Sequence, residues 1–297
     1  MKFCAVLLLL CLPSVYVTAV PVYPEMVEVD WMLLNGDFTS AVSVLEEYYA
    51  DPPSDVPLLE IVWRLAQATQ YAAEDAWSRD RDKEIIDDWF AQSEQWVRLT
   101  VEIAPEEHHG YFWKAALIAQ QAQVRGPLNS LFAAPEMRDL LIQASELEPQ
   151  AGHIYYAASY LYHLLPRMIS FGDRDAAVSL ARAGLWHQRV MQEQRIVPKV
   201  TEGFPLQLAR ALWTRNWSHE RRVQGQREKR SELTRTDHPF ERAMLFEGSR
   251  SIPDVGDREE ALQIIAEVEQ RLSYPNPVYA DRRARGWLDD LKEAWLQ

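Results

Sequence analysis

The sequence predicts an all-α protein, an array of antiparallel helix pairs, and three observations carry that prediction. Apolar residues recur at i, i+3, i+4 and i+7 along most of the chain, the spacing that gives a helix one buried face. No run of strict two-residue alternation is long enough to form a strand. One short phrase, Gly-Asp-x3-Ala, occurs three times, each time opening an amphipathic segment.

The N-terminus reads as an address. Met1-Lys2 supplies a positive charge, Phe3 to Leu12 is an unbroken apolar run, and Val17-Thr18-Ala19 provides a cleavage site. The run is too short for a membrane span, which needs about 20 apolar residues. Residues 1–19 are therefore expected to be a secretory signal, with a mature helical repeat domain over 20–297. Cys4 and Cys11, the only two cysteines, fall inside the signal, so the mature chain has no thiol for a disulfide or a zinc-thiolate site. An alternative makes Cys11 the lipid-modified first residue of a lipoprotein. Leu8 suits that cleavage, but Leu10 replaces the usual small residue. Soluble export to the periplasm is the primary expectation, with membrane contact only if Cys11 is lipidated.

The helices follow in order. Ala41, Val44, Leu45 and Tyr48 share one face, and the stretch 82–103 is long, charged and free of Gly and Pro. Met137, Leu140, Leu141 and Ala144 repeat the spacing, as do Ala261, Ile264, Ile265 and Val268. Breakers separate such segments: Pro52-Pro53, Pro105, Gly126-Pro127, Pro149, Pro166, Gly172-Asp173, Pro205, Pro253 to Asp257 and Pro275-Asn276-Pro277. Roughly a dozen helices result.

In Gly36-Asp37-x3-Ala41, Gly172-Asp173-x3-Ala177 and Gly256-Asp257-x3-Ala261, each Gly is expected to end a turn and each Asp to cap the next helix. The Ala then allows close helix contact. A second phrase, an apolar helix ending in Pro and followed by aromatics, occurs at Thr100 to Pro105 with Tyr111-Phe112-Trp113. It recurs at Ala144 to Pro149 with Tyr155-Tyr156. Helix–turn–helix units of about 34 residues ending in Pro are the tetratricopeptide signature.

Residues 104–185 resemble the tetratricopeptide-like T component of tripartite ATP-independent periplasmic (TRAP) transporters. The resemblance rests on the aromatic helix Tyr111 to Ala122, the turn at Arg125-Gly126, the unit ending at Pro149, and the tyrosine-rich helix leading to Leu165-Pro166 and Phe171-Gly172-Asp173. Regulators of microtubule dynamics share the central pattern, but an export signal suits the bacterial family better. The Arg-rich stretch 215–255 departs from it and is expected to be an irregular insertion. The resemblance implies an exported scaffold or ligand-binding protein, not an enzyme, that engages a periplasmic solute-binding protein. The alternative is a generic envelope adaptor docking peptide segments of other proteins. A small hydrophobic ligand and self-association are left open.

Composition narrows the chemistry. Lys+Arg is 31 against Asp+Glu 44, a formal charge of −13, so nucleic acid is an unsuitable partner. Neither a phosphate-binding Gly loop nor a GxSxG elbow is present, and no cofactor is implied. Glu106-Glu107-His108-His109 is the most metal-like cluster. Adjacent histidines diverge by about 100° on a helix, so no metal site is expected and the acids are read as favouring a helix N-terminus. The basic run 215–235 is read as a solvated, protease-sensitive face, with an anionic partner as the functional alternative.

Eleven tryptophans and twelve tyrosines leave the aromatics as the most informative side chains. Candidate partner- or ligand-binding residues are Tyr111, Trp113, Tyr155, Tyr156, Tyr162 and Trp186, with Arg125 and Arg167 at helix breaks beside them. Each aromatic is read either as lining a concave groove or as helix–helix core.

Overall fold

A computed structural model describes residues 23–167, 170–274 and 278–296. The expected signal segment, with Cys4 and Cys11, lies outside the described residues, as does the Pro275-Asn276-Pro277 break. Among the described residues the chain is all-helical, a tetratricopeptide-like array with no strand. The helices are α1 (Pro24–Asn35), α2 (Phe38–Ala50), α3 (Leu58–Ser78), α4 (Lys83–Ile103), α5 (His108–Arg125), α6 (Pro127–Leu147) and α7 (Gly152–Leu164). They continue as α8 (Arg174–Glu193), α9 (Gly203–Arg215), α10 (His219–Glu232), α11 (Pro239–Met244), α12 (Asp257–Arg271) and α13 (Tyr279–Leu296). Two 3-10 turns, Leu233–Arg235 and Phe246–Ser249, flank α11. No helix among these residues is long and apolar enough to cross a membrane.

Successive helices pair as α3 with α4, α5 with α6, and α7 with α8, while α9 pairs with α12 across the intervening segment. The first helices of the pairs also touch one another, α3 against α5 and α7 against α9. The three Ala positions of the repeated phrase, Ala41, Ala177 and Ala261, are fully buried, as close helix approach requires. Gly36 ends α1 in the left-handed region at φ 89°, and Asp173 caps α8 by accepting from the amides of Asp175 and Ala176. Asp257 departs from the phrase. It is the first residue of α12, and its carboxylate is taken up by arginines. Pro205, expected as a break, lies in the first turn of α9, where a missing N–H costs no helical hydrogen bond.

A second repeat emerges in three dimensions. The Tyr111 hydroxyl donates to the Pro105 carbonyl at 2.9 Å, and the Tyr155 hydroxyl donates to the Pro149 carbonyl at 2.8 Å. Both latches span six residues and satisfy a carbonyl in the turn between two helices. The α7–α8 contact is tighter still. A Cβ on Gly184 would stand 2.9 Å from the Gly152 carbonyl oxygen and from the Tyr156 amide nitrogen, so the backbones meet where both residues lack side chains.

The last helix returns to the start. Tyr279 packs edge-on against Phe38 with centroids 5.3 Å apart and donates to Asp75 of α3, and Arg283 pairs with Glu74. Trp287 lies 5.6 Å from Tyr160 of α7, and Trp295 stacks on Trp213 of α9 at 4.4 Å. Apart from α12 and Phe38 at the start of α2, the elements α13 touches in these contacts are first helices. It therefore runs along the inner face of the array.

Candidate functional site

The first-helix face is built by α3, α5, α7 and α9 and is covered in part by α13. Gln70 of α3 donates to the Trp113 carbonyl at 3.0 Å, and Tyr71 meets the Trp113 ring edge-on at 5.9 Å. These contacts lock α3 to α5. Tyr156 of α7 packs on Phe204 of α9 at 4.4 Å and on Tyr160 at 5.2 Å. Burial pushes the Tyr156 hydroxyl up to about 12, and the fields of Tyr71, Arg283 and Glu74 act on it too. Tyr279 and Arg283 contact α3 and Trp287 contacts α7, so groups from α3, α7 and α13 share one interior. Burial likewise raises the Tyr160 pKa, with the neighbouring Tyr156 adding to it. At these values the face is a neutral hydroxyl-bearing aromatic wall at physiological pH.

A recess between α3, α4 and α5 is small. It holds about 10 Å³ and is lined by Glu74, Trp77, Phe90, Gln120, Gln123 and Val124. Small-molecule pockets begin near ~300 Å³.

The structure distributes the residues singled out in the sequence. Trp113, Tyr155 and Tyr162 are buried core. Tyr111 is half-buried and latched to Pro105, and Tyr156 belongs to the inner wall. Arg125 and Arg167 are exposed at helix ends. Trp186 sits on α8, a second helix, under the Arg250 guanidinium at 4.1 Å, and so lies away from the first-helix face. Sequence reasoning missed Tyr71 and Tyr160, which the spacing from Tyr156 (i, i+4) makes a second tyrosine of the same stripe.

The Arg-rich run is not the irregular, solvated insertion expected. Arg215, Arg222 and Lys229 recur every seventh residue, which places Arg222 and Lys229 on one face of α10, and all three are buried. Arg215 binds Asp257 through two nitrogens, both at 2.8 Å, and Glu247 at 2.5 Å. Lys229 reaches Asp175 at 2.5 Å, Glu247 at 2.8 Å and the Ser179 hydroxyl at 2.9 Å. Arg222 contacts Asp257 at 3.2 Å and Glu260 at 2.5 Å, and Arg182 of α8 bridges Glu247 and Glu260. Four cations thus meet four carboxylates. Burial pushes the Glu247 carboxyl up, but Lys229, Arg215 and Arg182 together hold it well below the usual carboxylate range. Trp217 closes the cluster over Arg215 at 4.4 Å. The arrangement pins α10 and the turn at Phe246–Ser249 to α8, α9 and α12, which is an anchoring role.

The histidine-rich start of α5 also differs from expectation. The His108 and His109 rings do not diverge but lie 3.9 Å apart. Side chains in a first turn lean past the helix end, where no preceding turn separates them. Trp63 of α3 stacks on His109 at 4.7 Å, and His153 of α7 approaches His108 at 5.4 Å. Burial lowers His108 to about 4 and His153 to about 3.

No protein-family model matches this chain, and no curated protein matches it.

Proposed function

We propose that this chain is an exported, non-enzymatic scaffold acting as the T component of a TRAP system, with a periplasmic solute receptor as its partner on the first-helix face. The observation that supports this most is the aromatic character of the first-helix face, where Tyr71, Tyr156 and Tyr160 are only partly buried although α13 covers part of it. Aromatic side chains with a polar tip give large contact area at low entropic cost, which suits a partner surface. The resemblance over residues 104–185 supplies the partner class.

A second reading, a general envelope adaptor docking helical segments, is favoured by one contact set. The face already carries a helix, α13, seated on Tyr160, Glu74 and Asp75. An amphipathic helix laid into a groove is a recurring recognition mode.

Photo-crosslinking separates these readings. A crosslinking residue replaces Trp77 or Gln123, exposed at the rim of the first-helix face, or Ile85 or Trp186 on second helices. In exporting cells, the first two positions are expected to trap a solute-binding receptor, identified by its mass. Trapping of other assembly proteins at these positions supports the adaptor reading. Receptor capture from Ile85 and Trp186 alone, or from no position, refutes the proposed face.

A further inference from the structure

Glu107, His108 and His109 stand at the N-terminal rim of the first-helix face, where α3, α5 and α7 meet. One ring nitrogen from each histidine and a carboxylate oxygen of Glu107 lie within 4.8 Å of one another. The buried Nδ1 of His109 has no hydrogen-bond partner. An unpaired buried nitrogen costs free energy that a ligand would recover. His163, His219 and His238 also have a buried Nδ1 without a partner; the last two engage a carboxylate through Nε2, whereas Trp63 and His108 hold His109 by ring contacts.

The surroundings favour a cation. The charges of Glu60 and Glu148 act on Glu107, so the region around its carboxylate is acidic. The nearby Arg64 guanidinium is already paired with Asp30 at 2.8 Å and with Glu60 at 2.6 Å. The rings are also pre-positioned: Trp63 supports His109 at 16° to its plane, and His153, itself against Phe112 at 4.3 Å, backs His108. Glu107 is exposed at the N-cap, so its carboxylate is free to swing inward.

We propose that Glu107, His108 and His109 bind a divalent transition metal of the zinc, cobalt or nickel kind, leaving its remaining positions open to water. Imidazole nitrogen with one carboxylate oxygen is the donor set such ions prefer, and the absence of thiolate from the set disfavours copper(I). Donors about 2.1 Å from a metal stand roughly 3.3 Å apart. The donors lie within 4.8 Å of one another, so binding draws them together by about 1.5 Å at most.

The test uses the untagged chain carrying Cys4→Ser and Cys11→Ser, stripped with chelator, and cobalt(II) as the probe. Titration is expected to give one saturable site, with visible absorption bands of imidazole-ligated cobalt, and zinc is expected to compete for it. Glu107→Gln, at an exposed position, should weaken binding by at least about tenfold, since losing even a group that only supports a ligand costs that much. His109→Phe, which keeps the stack on Trp63, should abolish it. His187→Ala, remote from the cluster, should leave it unchanged. Absence of saturable binding overturns the proposal, as does binding that Glu107→Gln leaves unaltered while that variant melts like the parent.

Discussion

Replacing Glu247 with Gln tests whether the buried ionic cluster anchors the segment 215–255. Glu247 is 3% exposed and accepts from three cations: Arg182 at 2.8 Å, Arg215 at 2.5 Å and Lys229 at 2.8 Å. The amide keeps the size of the carboxylate but removes one of four negative charges, leaving a net positive charge sealed from water. Breaking a buried ion pair from one side costs about 3–5 kcal/mol. For a domain of this size each kcal/mol moves Tm by about 2 °C, so the melt should fall by about 6–10 °C. Glu228→Gln is the control: its ion pair with Arg221 spans 3.6 Å on the exposed side of α10, and its loss should cost less than about 1 kcal/mol. Adding Lys229→Met to Glu247→Gln restores neutrality, so the double variant should be less destabilised than the two single variants summed. Urea unfolding followed by circular dichroism measures the parent and all four variants, Lys229→Met included. A Glu247→Gln variant within about 1 kcal/mol of the parent, or native trypsin cleavage beginning after Arg222 or Lys229, would refute the anchoring argument.

Three further outcomes follow from the same contacts. Burial, with Arg210 and Arg174, lowers His163 to about 4, and burial with Arg250 does the same at His187, both from an ordinary 6.5. Their folded values are depressed, so the stability they contribute is complete above 6.5 and declines as pH falls towards 4. Glu247 adds a later loss below its ordinary 4.5, so urea midpoints measured across this window should fall in two stages rather than one. Tyr155→Phe removes only the latch to Pro149 and should cost about 0.5–1.5 kcal/mol, whereas Tyr155→Ala also opens the core and should cost about 3–5 kcal/mol. Gly184→Ala should destabilise by about 1–3 kcal/mol in a thermal melt, because its methyl carbon would stand 2.9 Å from the backbones of Gly152 and Tyr156.

The fold was legible because helices in such an array are fixed by local period and by contacts between neighbours in sequence. The faces of Ala41 to Leu45 and of Ala261 to Val268 are buried as their spacing requires. What α13 does was not legible. Its amphipathic pattern shows that one face is buried but not against what. Its partners, Glu74, Asp75 and Tyr160, stand more than a hundred residues upstream. The aromatics divide for a related reason. Tyr155 and Tyr156 are neighbours in sequence and differ by 100° in direction, so one latches a turn in the core and the other faces the interior.

Charge was the least legible property, and the reason is physical. Composition counts Arg and Lys as solvated by default, because an isolated buried charge is prohibitive. The prohibition lifts when partners arrive from elsewhere: Asp175 and Arg182 from α8, Glu247 from a 3-10 turn, Asp257 and Glu260 from α12. None of these is within fifteen residues of the cation it pairs with. One sequence signal did exist. A solvated face has no reason to repeat its cations with a helical period, yet Arg222 and Lys229 fall seven residues apart on α10, with Gly225 between them leaving room for Trp217. The same logic applies to His108 and His109, whose convergence depends on being in a first turn rather than on their spacing. Helical geometry predicts where a side chain leaves the backbone. Where it arrives depends on which end of the helix it occupies and on what packs there.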